Sequence, residues 1–129
     1  MDKALLVGTI LPNIDEVDVI NHLDELEMLA ETAKVETLGV FTQKLNRINP
    51  AFYIGKGKAQ QVIQQAKLLN ANVIIFDDEL SPAQIKNYHK LAKKIKVIDR
   101  SGLILHIFKK HAKTKEAKTQ VELALCQYL

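Results

Sequence analysis

The stretch Asn72-Val73-Ile74-Ile75-Phe76-Asp77-Asp78-Glu79-Leu80-Ser81-Pro82-Ala83-Gln84 decides the fold. Its first half is apolar on both sides, as a central strand of a parallel sheet must be when helices cover both faces. Acids end the run. Ser81 offers a helix N-cap, and Pro82 suits the first helical position because its missing N–H has no partner there anyway. A strand, a polar turn and a capped helix make the unit of an open α/β sheet, in which sites gather where strands give way to helices. The pattern recurs at Lys96-Val97-Ile98-Asp99-Arg100-Ser101-Gly102, a short strand after which Ser101 opens a helix through Leu103, Ile104, Ile107 and Phe108.

Towards the N-terminus, Ala4–Leu11 reads as a buried strand closed by Pro12-Asn13. Residues 17–34 carry Val17, Ile20, Leu23, Leu26, Leu29, Ala30 and Ala33 at helical spacing, with Asp15, Glu16 and Asp18 at the positive end of the dipole. Val35–Phe41 reads as a second strand, Thr42–Pro50 as an irregular loop, and Ala51–Gly55 as a short strand or extended segment. Gly57–Leu69 reads as a helix with Ala59, Val62, Ile63, Ala66 and Leu69 inward. Ser81 caps a helix ending near Ala92 or Lys93, and Glu116–Leu129 shows a last helical pattern. The expected architecture is α/β: a mostly parallel sheet flanked by helices. An α/β domain over residues 1–112 is followed by the first part of a helical hairpin over 113–129.

Composition narrows the function. A chain of 129 residues fills one domain. Cys126 is alone, so no internal disulfide is available and a reducing, cytoplasmic setting is expected. The apolar run at Ala4 is too short for a signal peptide, and no run reaches a membrane span. The formal charge is only +3, but it is polarised. From Lys86 to Lys118 there are eleven Lys or Arg against Asp99 and Glu116, whereas Met1–Glu36 holds nine acids against Lys3 and Lys34. Such a domain either solvates its charged faces or offers one to a polyanion. The densest basic stretch is Lys109, Lys110, His111, Lys113, Lys115 and Lys118, the candidate RNA contact. Lysine meets phosphates but reads no base by itself.

Other candidates are weaker. Gly55-Lys56-Gly57-Lys58 lacks both the P-loop pattern and the dinucleotide fingerprint. It is either a tight turn entering a helix or an anion site built from Lys56, Gly57, Lys58 and free helix amides. Asp77, Asp78, Glu79, Asp99 and Arg100 form a polar cluster at strand exits. Asp77 is a candidate acceptor for the amides of its own turn, Asp99 an orienting carboxylate for an amide or for Arg100. His22, His89, His106 and His111 show no metal-ligand spacing, and no serine sits beside a histidine in a nucleophile motif. No catalytic or metal site is expected.

Four ordered runs carry a family likeness: Ala51–Lys58, Val73–Gln84, Val97–Phe108 and Thr114–Ala124. They resemble the N-terminal domain of the HflX family of ribosome-associated GTPases, firmly over Val35–Leu129 and more loosely before it. The resemblance implies an α/β unit, a helical hairpin and then a GTPase domain, with the large ribosomal subunit and its RNA as partner. Some members are credited with ATP use by this region. Where the family commonly has arginines, this chain has His111, Lys113 and Lys115, which keep charge without the forked phosphate contact. The sequence contains no GxxxxGK[ST] and no NKxD, so GTP and Mg are expected only in the adjoining GTPase domain of the parent protein.

Three readings follow. The first is a ribosome- and RNA-facing regulatory module that hydrolyses no GTP itself. The second is a nucleotide or small-ligand domain, with weak phosphohydrolase activity, using Lys56, Lys58, Asp77, Asp78 and Asp99. The third is a regulator docked on its GTPase neighbour, whose exposed last helix would also favour homo-oligomers.

Overall fold

A computed structural model describes residues 2–111. The elements are β1 (Asp2–Ile10), α1 (Glu16–Thr32), β2 (Val35–Lys44), α2 (Lys56–Leu68), β3 (Val73–Phe76), α3 (Pro82–Leu91), β4 (Lys96–Asp99) and α4 (Arg100–His111). The four strands form one sheet in the order β2-β1-β3-β4, and every pairing is parallel. Parallel strands need crossovers, and α1, α2 and α3 supply them. The order reverses between β1 and β3, which makes a crevice at their C-terminal ends.

The sheet separates two cores. On one face Leu5, Val7, Ile74, Phe76 and Val97 meet α2 and α3, with Ala59, Val62, Ala66 and Tyr88 packed inward. On the other, Ala4, Leu6, Val73 and Ile75 meet α1 and, through Leu103, α4. Alternate residues of β1 thus serve opposite cores, and β3 is buried throughout. The contact with α1 is close: a Cβ at Gly8 would lie 2.8 Å from Leu23 Cδ1, so glycine is what lets the helix approach β1.

Three expectations change. Ala51–Gly55 is not a strand. Its one ladder contact is an isolated bridge between Asn49 and Tyr53, and Tyr53 adopts φ 69°. Strand β2 runs on through Thr42, Gln43 and Lys44, because β1 continues beside it at Gly8, Thr9 and Ile10. In α1 the inward face is Val19, Leu23, Leu26 and Ala30, whereas Val17 and Ile20 are 61% and 48% exposed. The cause is packing: Val19, Leu23, Leu26 and Ala30 meet Ala4, Leu6, Val73 and Ile75 of the sheet, which leaves Val17 on the outer face at the Asp15-capped start. The 113–129 part of the expected hairpin, its apolar last helix and the self-association expected of it lie outside the described residues.

Candidate functional site

The crevice at the ends of β1 and β3 is occupied by the protein's own groups. The Thr9 hydroxyl donates to Asp78 Oδ2 at 2.6 Å, and the Tyr53 hydroxyl sits against both side chains. Burial, more than any neighbour, pushes the Asp78 carboxyl above the usual carboxylate range. The Thr9 hydrogen bond opposes that shift, and the Asp77 charge adds to it. Burial likewise raises the Tyr53 phenol, with the Asp78 charge second.

Asp77 faces the other way. Arg100 donates to its Oδ1 through Nε at 2.8 Å and through Nη2 as well. The same Nη2 donates to the His22 carbonyl at 2.6 Å, while Nη1 lies 3.5 Å from Glu25. His22 Nδ1 is 3.9 Å from Asp77. Arg100 therefore ties the start of α4 to α1 and to the exit of β3. Asp77 accepts no amide of its own turn, contrary to the sequence reading, because this guanidinium claims it. Asp99 takes that role: buried, it accepts the Leu80 N–H at 2.9 Å and the Gly102 N–H at 2.8 Å. Glu79 is displaced from both, 3.5 Å from the Ser101 hydroxyl.

The five-residue cluster of the sequence reading is therefore three separate devices. Among the described residues no group of His, Cys, Asp and Glu is arranged to hold a metal ion. Each of Asp77, Asp78 and Asp99 is engaged by protein donors of its own. Sequence reasoning missed Thr9, His22, Glu25 and Tyr53, which reach the crevice from other elements. The one available signal was the polar Thr9 at the exit of an otherwise apolar strand.

A second region surrounds the segment before α2. The Asn49 carboxamide oxygen accepts the Ala51 and Phe52 N–H groups at 2.8 and 2.9 Å. One face of α3 then grips the loop: Gln84 Nε2 donates to the Asn49 carbonyl, Asn87 Nδ2 to Ala51 and the Tyr88 hydroxyl to Phe52. These residues stand at i, i+3 and i+4, the spacing that aligns side chains along one helix face. Phe52 also meets Tyr88 edge-on at 5.4 Å, so it is a packing residue. Gly55, at φ 25°, turns this loop into α2 without a side-chain cap. Lys56, Gly57 and Lys58 are exposed in the first turn, and Lys58 Nζ is 3.4 Å from Gln61. An open cleft of about 530 Å³ lies between Arg47, Ile48, Asn49, Pro50 and Gly55.

Of the basic stretch, Lys109 and Lys110 are exposed on the last turn of α4. The His111 side chain and Lys113, Lys115 and Lys118 lie outside the described residues. No helix among the described residues is long and apolar enough to cross a membrane.

Comparison with known proteins fits this arrangement. The family described as GTP-binding GTPase N-terminal matches residues 20–109. A GTPase HflX of Flavobacterium psychrophilum is 42% identical over 128 residues, which covers 99% of this chain and 31% of that protein. The GTPase HflX of Escherichia coli is 44% identical over 110 residues, covering 85% and 26%. A GTP-binding protein from Sulfolobus solfataricus, solved in complex with GDP, superposes with a TM-score of 0.73 at 29% identity, covering 99% of this chain and 37% of that one. The chain thus spans about a third or less of the length of the curated relatives it matches. The match to the GTPase N-terminal family over residues 20–109, with relatives more than 40% identical along nearly the whole chain, makes this chain a member of the HflX GTPase family that corresponds to its N-terminal domain.

Proposed function

We propose that this domain docks and regulates an HflX-type GTP-binding protein on the large ribosomal subunit, in the cytoplasm, by contacting ribosomal RNA. The observation that carries the reading is the bare basic end of α4. Lys109 and Lys110 are exposed there, while the ion pairs among the described residues gather on Arg100 and His22. In this reading His111, Lys113, Lys115 and Lys118 extend the basic stretch. Residues 113–129 begin a hairpin leading to the GTPase domain, where GTP and Mg bind. The name GTPase carried by the relatives supports that neighbour as the domain's partner within its own protein.

Lysine is a point charge that neutralises phosphate and releases counterions, so binding of this kind weakens steeply with salt. The test is sedimentation of the 129-residue chain with purified large subunits across a salt series. Binding that falls with salt and is weakened by Lys109→Glu with Lys110→Glu is the expected result. Binding that ignores salt, or no binding at all, overturns the reading.

A further inference from the structure

In sheets of this kind the sites belong at the C-terminal ends of the strands, yet there the carboxylates and Arg100 are already paired with one another and with the backbone. The opposite end differs. A cleft of about 590 Å³ opens where β3 and β4 begin, between Asp2, Asn72, His89, Lys93, Lys94 and Lys96. The three lysines and His89 are exposed. The one acid in the wall, Asp2, accepts the Asn72 side-chain amide at 3.0 Å, and Asn72 also accepts the Lys96 N–H through its carbonyl. No acid occurs between Glu79 and Asp99. None of these lysines is ion-paired among the described residues, whose ion pairs lie on Arg100 and His22.

Topology extends the cleft. Helices that follow parallel strands run back along the sheet, so α3 and α4 both end at the end where strands start. Lys96 and Asp2 line a second, smaller cavity together with His106 of α4, which joins the cleft to the helix bearing Lys109 and Lys110. Basic groups from α3, β4 and α4 therefore share one end of the molecule.

We infer that this cleft, walled by Lys93, Lys94 and Lys96 and continued by His106, Lys109 and Lys110, seats the phosphodiester backbone of an RNA. A concave row of lysines suits a rod of regularly spaced phosphates and contacts it without reading sequence. The apolar wall residues Val73 and Ile95 are buried, so the cleft offers no anchor to a lipid surface. The inference deepens the docking reading and rests on it only for the source of the RNA.

The test measures binding of the chain to a labelled RNA duplex of arbitrary sequence across a salt series, beside binding to large subunits. Replacing Lys93, Lys94 and Lys96 together by Gln is expected to reduce the slope of log affinity against log salt by about 2–3. Lys44→Gln, at the far end of the sheet, leaves the slope unchanged. The urea midpoint of each variant confirms that these exposed substitutions keep the fold. A triple variant with the parental slope overturns the inference; if large subunits still bind and respond to Lys109 and Lys110, the docking reading stands without it. Duplex binding lost in the triple variant, with no binding to subunits, keeps the cleft and removes the ribosome. Equal retention on phosphatidylserine vesicles, released by the same variant, overturns the inference in favour of a membrane surface.

Discussion

Asp99 shows how much one buried side chain can decide. Its two oxygens hold the Leu80 amide ahead of α3 and the Gly102 amide inside α4, so one carboxylate fixes two turns. Asp99→Ala leaves both donors without an acceptor in a dry site, at a cost of roughly 2–5 kcal/mol. Urea denaturation of the two proteins checks this, and a loss under about 1 kcal/mol would refute it. Asp78 behaves oppositely. Its pKa is raised in the fold, so between the ordinary carboxylate pKa and the raised one the native state holds more proton than the unfolded chain. Stability from this group is therefore full at low pH and falls as pH rises through that window. Asp78→Asn keeps an acceptor for the Thr9 hydroxyl and removes the buried charge. The variant is expected to be more stable than the parent at pH ~7, with the difference vanishing near pH ~3. Denaturation midpoints at both pH values read this out; a variant weaker at neutral pH would refute it. The amide-holding role of Asp99 was legible in sequence, but its grip on two turns at once and the pairing of Asp78 with Thr9 were not. The triplet Asp77-Asp78-Glu79 looks like one cluster, yet the chain bends at Asp77 and Asp78 after β3 and aims its members at different partners.

Among the elements, α3 does two jobs with one residue. The Gln84 side chain closes a capping box with Ser81 and also donates to the Asn49 carbonyl. Gln84→Glu keeps the acceptor that caps the helix and loses the donor that holds the loop. Amide hydrogen exchange is expected to quicken at Asn49 and Tyr53 while the α3 amides stay protected; equal protection at both would refute the division of labour. Helix α1 tests the corrected phase. Leu26→Ala should cost about 2–5 kcal/mol, and Val17→Ser at most ~0.5 kcal/mol. Comparable losses at the two sites would restore the phase expected from spacing. That spacing was ambiguous because Val17, Val19 and Ile20 are all apolar, and only packing against the sheet decides which of them faces inward. By contrast α2, β3 and the Ser81 start of α3 were legible, since an uninterrupted apolar run and a Ser-Pro cap each admit one reading. The Ala51–Gly55 turn was not, because its hydrogen bonds come from residues 35 and 36 positions away on α3.

Taken whole, the molecule carries its charge unevenly. Acids crowd α1, while Lys93, Lys94, Lys96, Lys109 and Lys110 share the end where the strands begin. Like charges gathered without partners repel, and the repulsion reaches about 30 Å in ~0.01 M salt but about 8 Å at ~0.15 M. The urea midpoint is therefore expected to rise as sodium chloride is added over that range. A flat or falling profile would mean that the basic end carries no strain to relieve. Polarity of this kind was visible in the order of residues, but its gathering at one end follows from the return of α3 and α4 along the sheet.

That return gives Arg100 a mechanical meaning. Helix α4 is 12 residues long, about 18 Å, and its first residue is bolted to Asp77, His22 and Glu25. The bolt acts as the fulcrum of a lever whose far tip carries Lys109 and Lys110. A tilt of only about 10° there would swing the tip by about 3 Å, enough to disengage a phosphate. Whatever loosens the guanidinium at one end of the domain would be felt as a change of aim at the other.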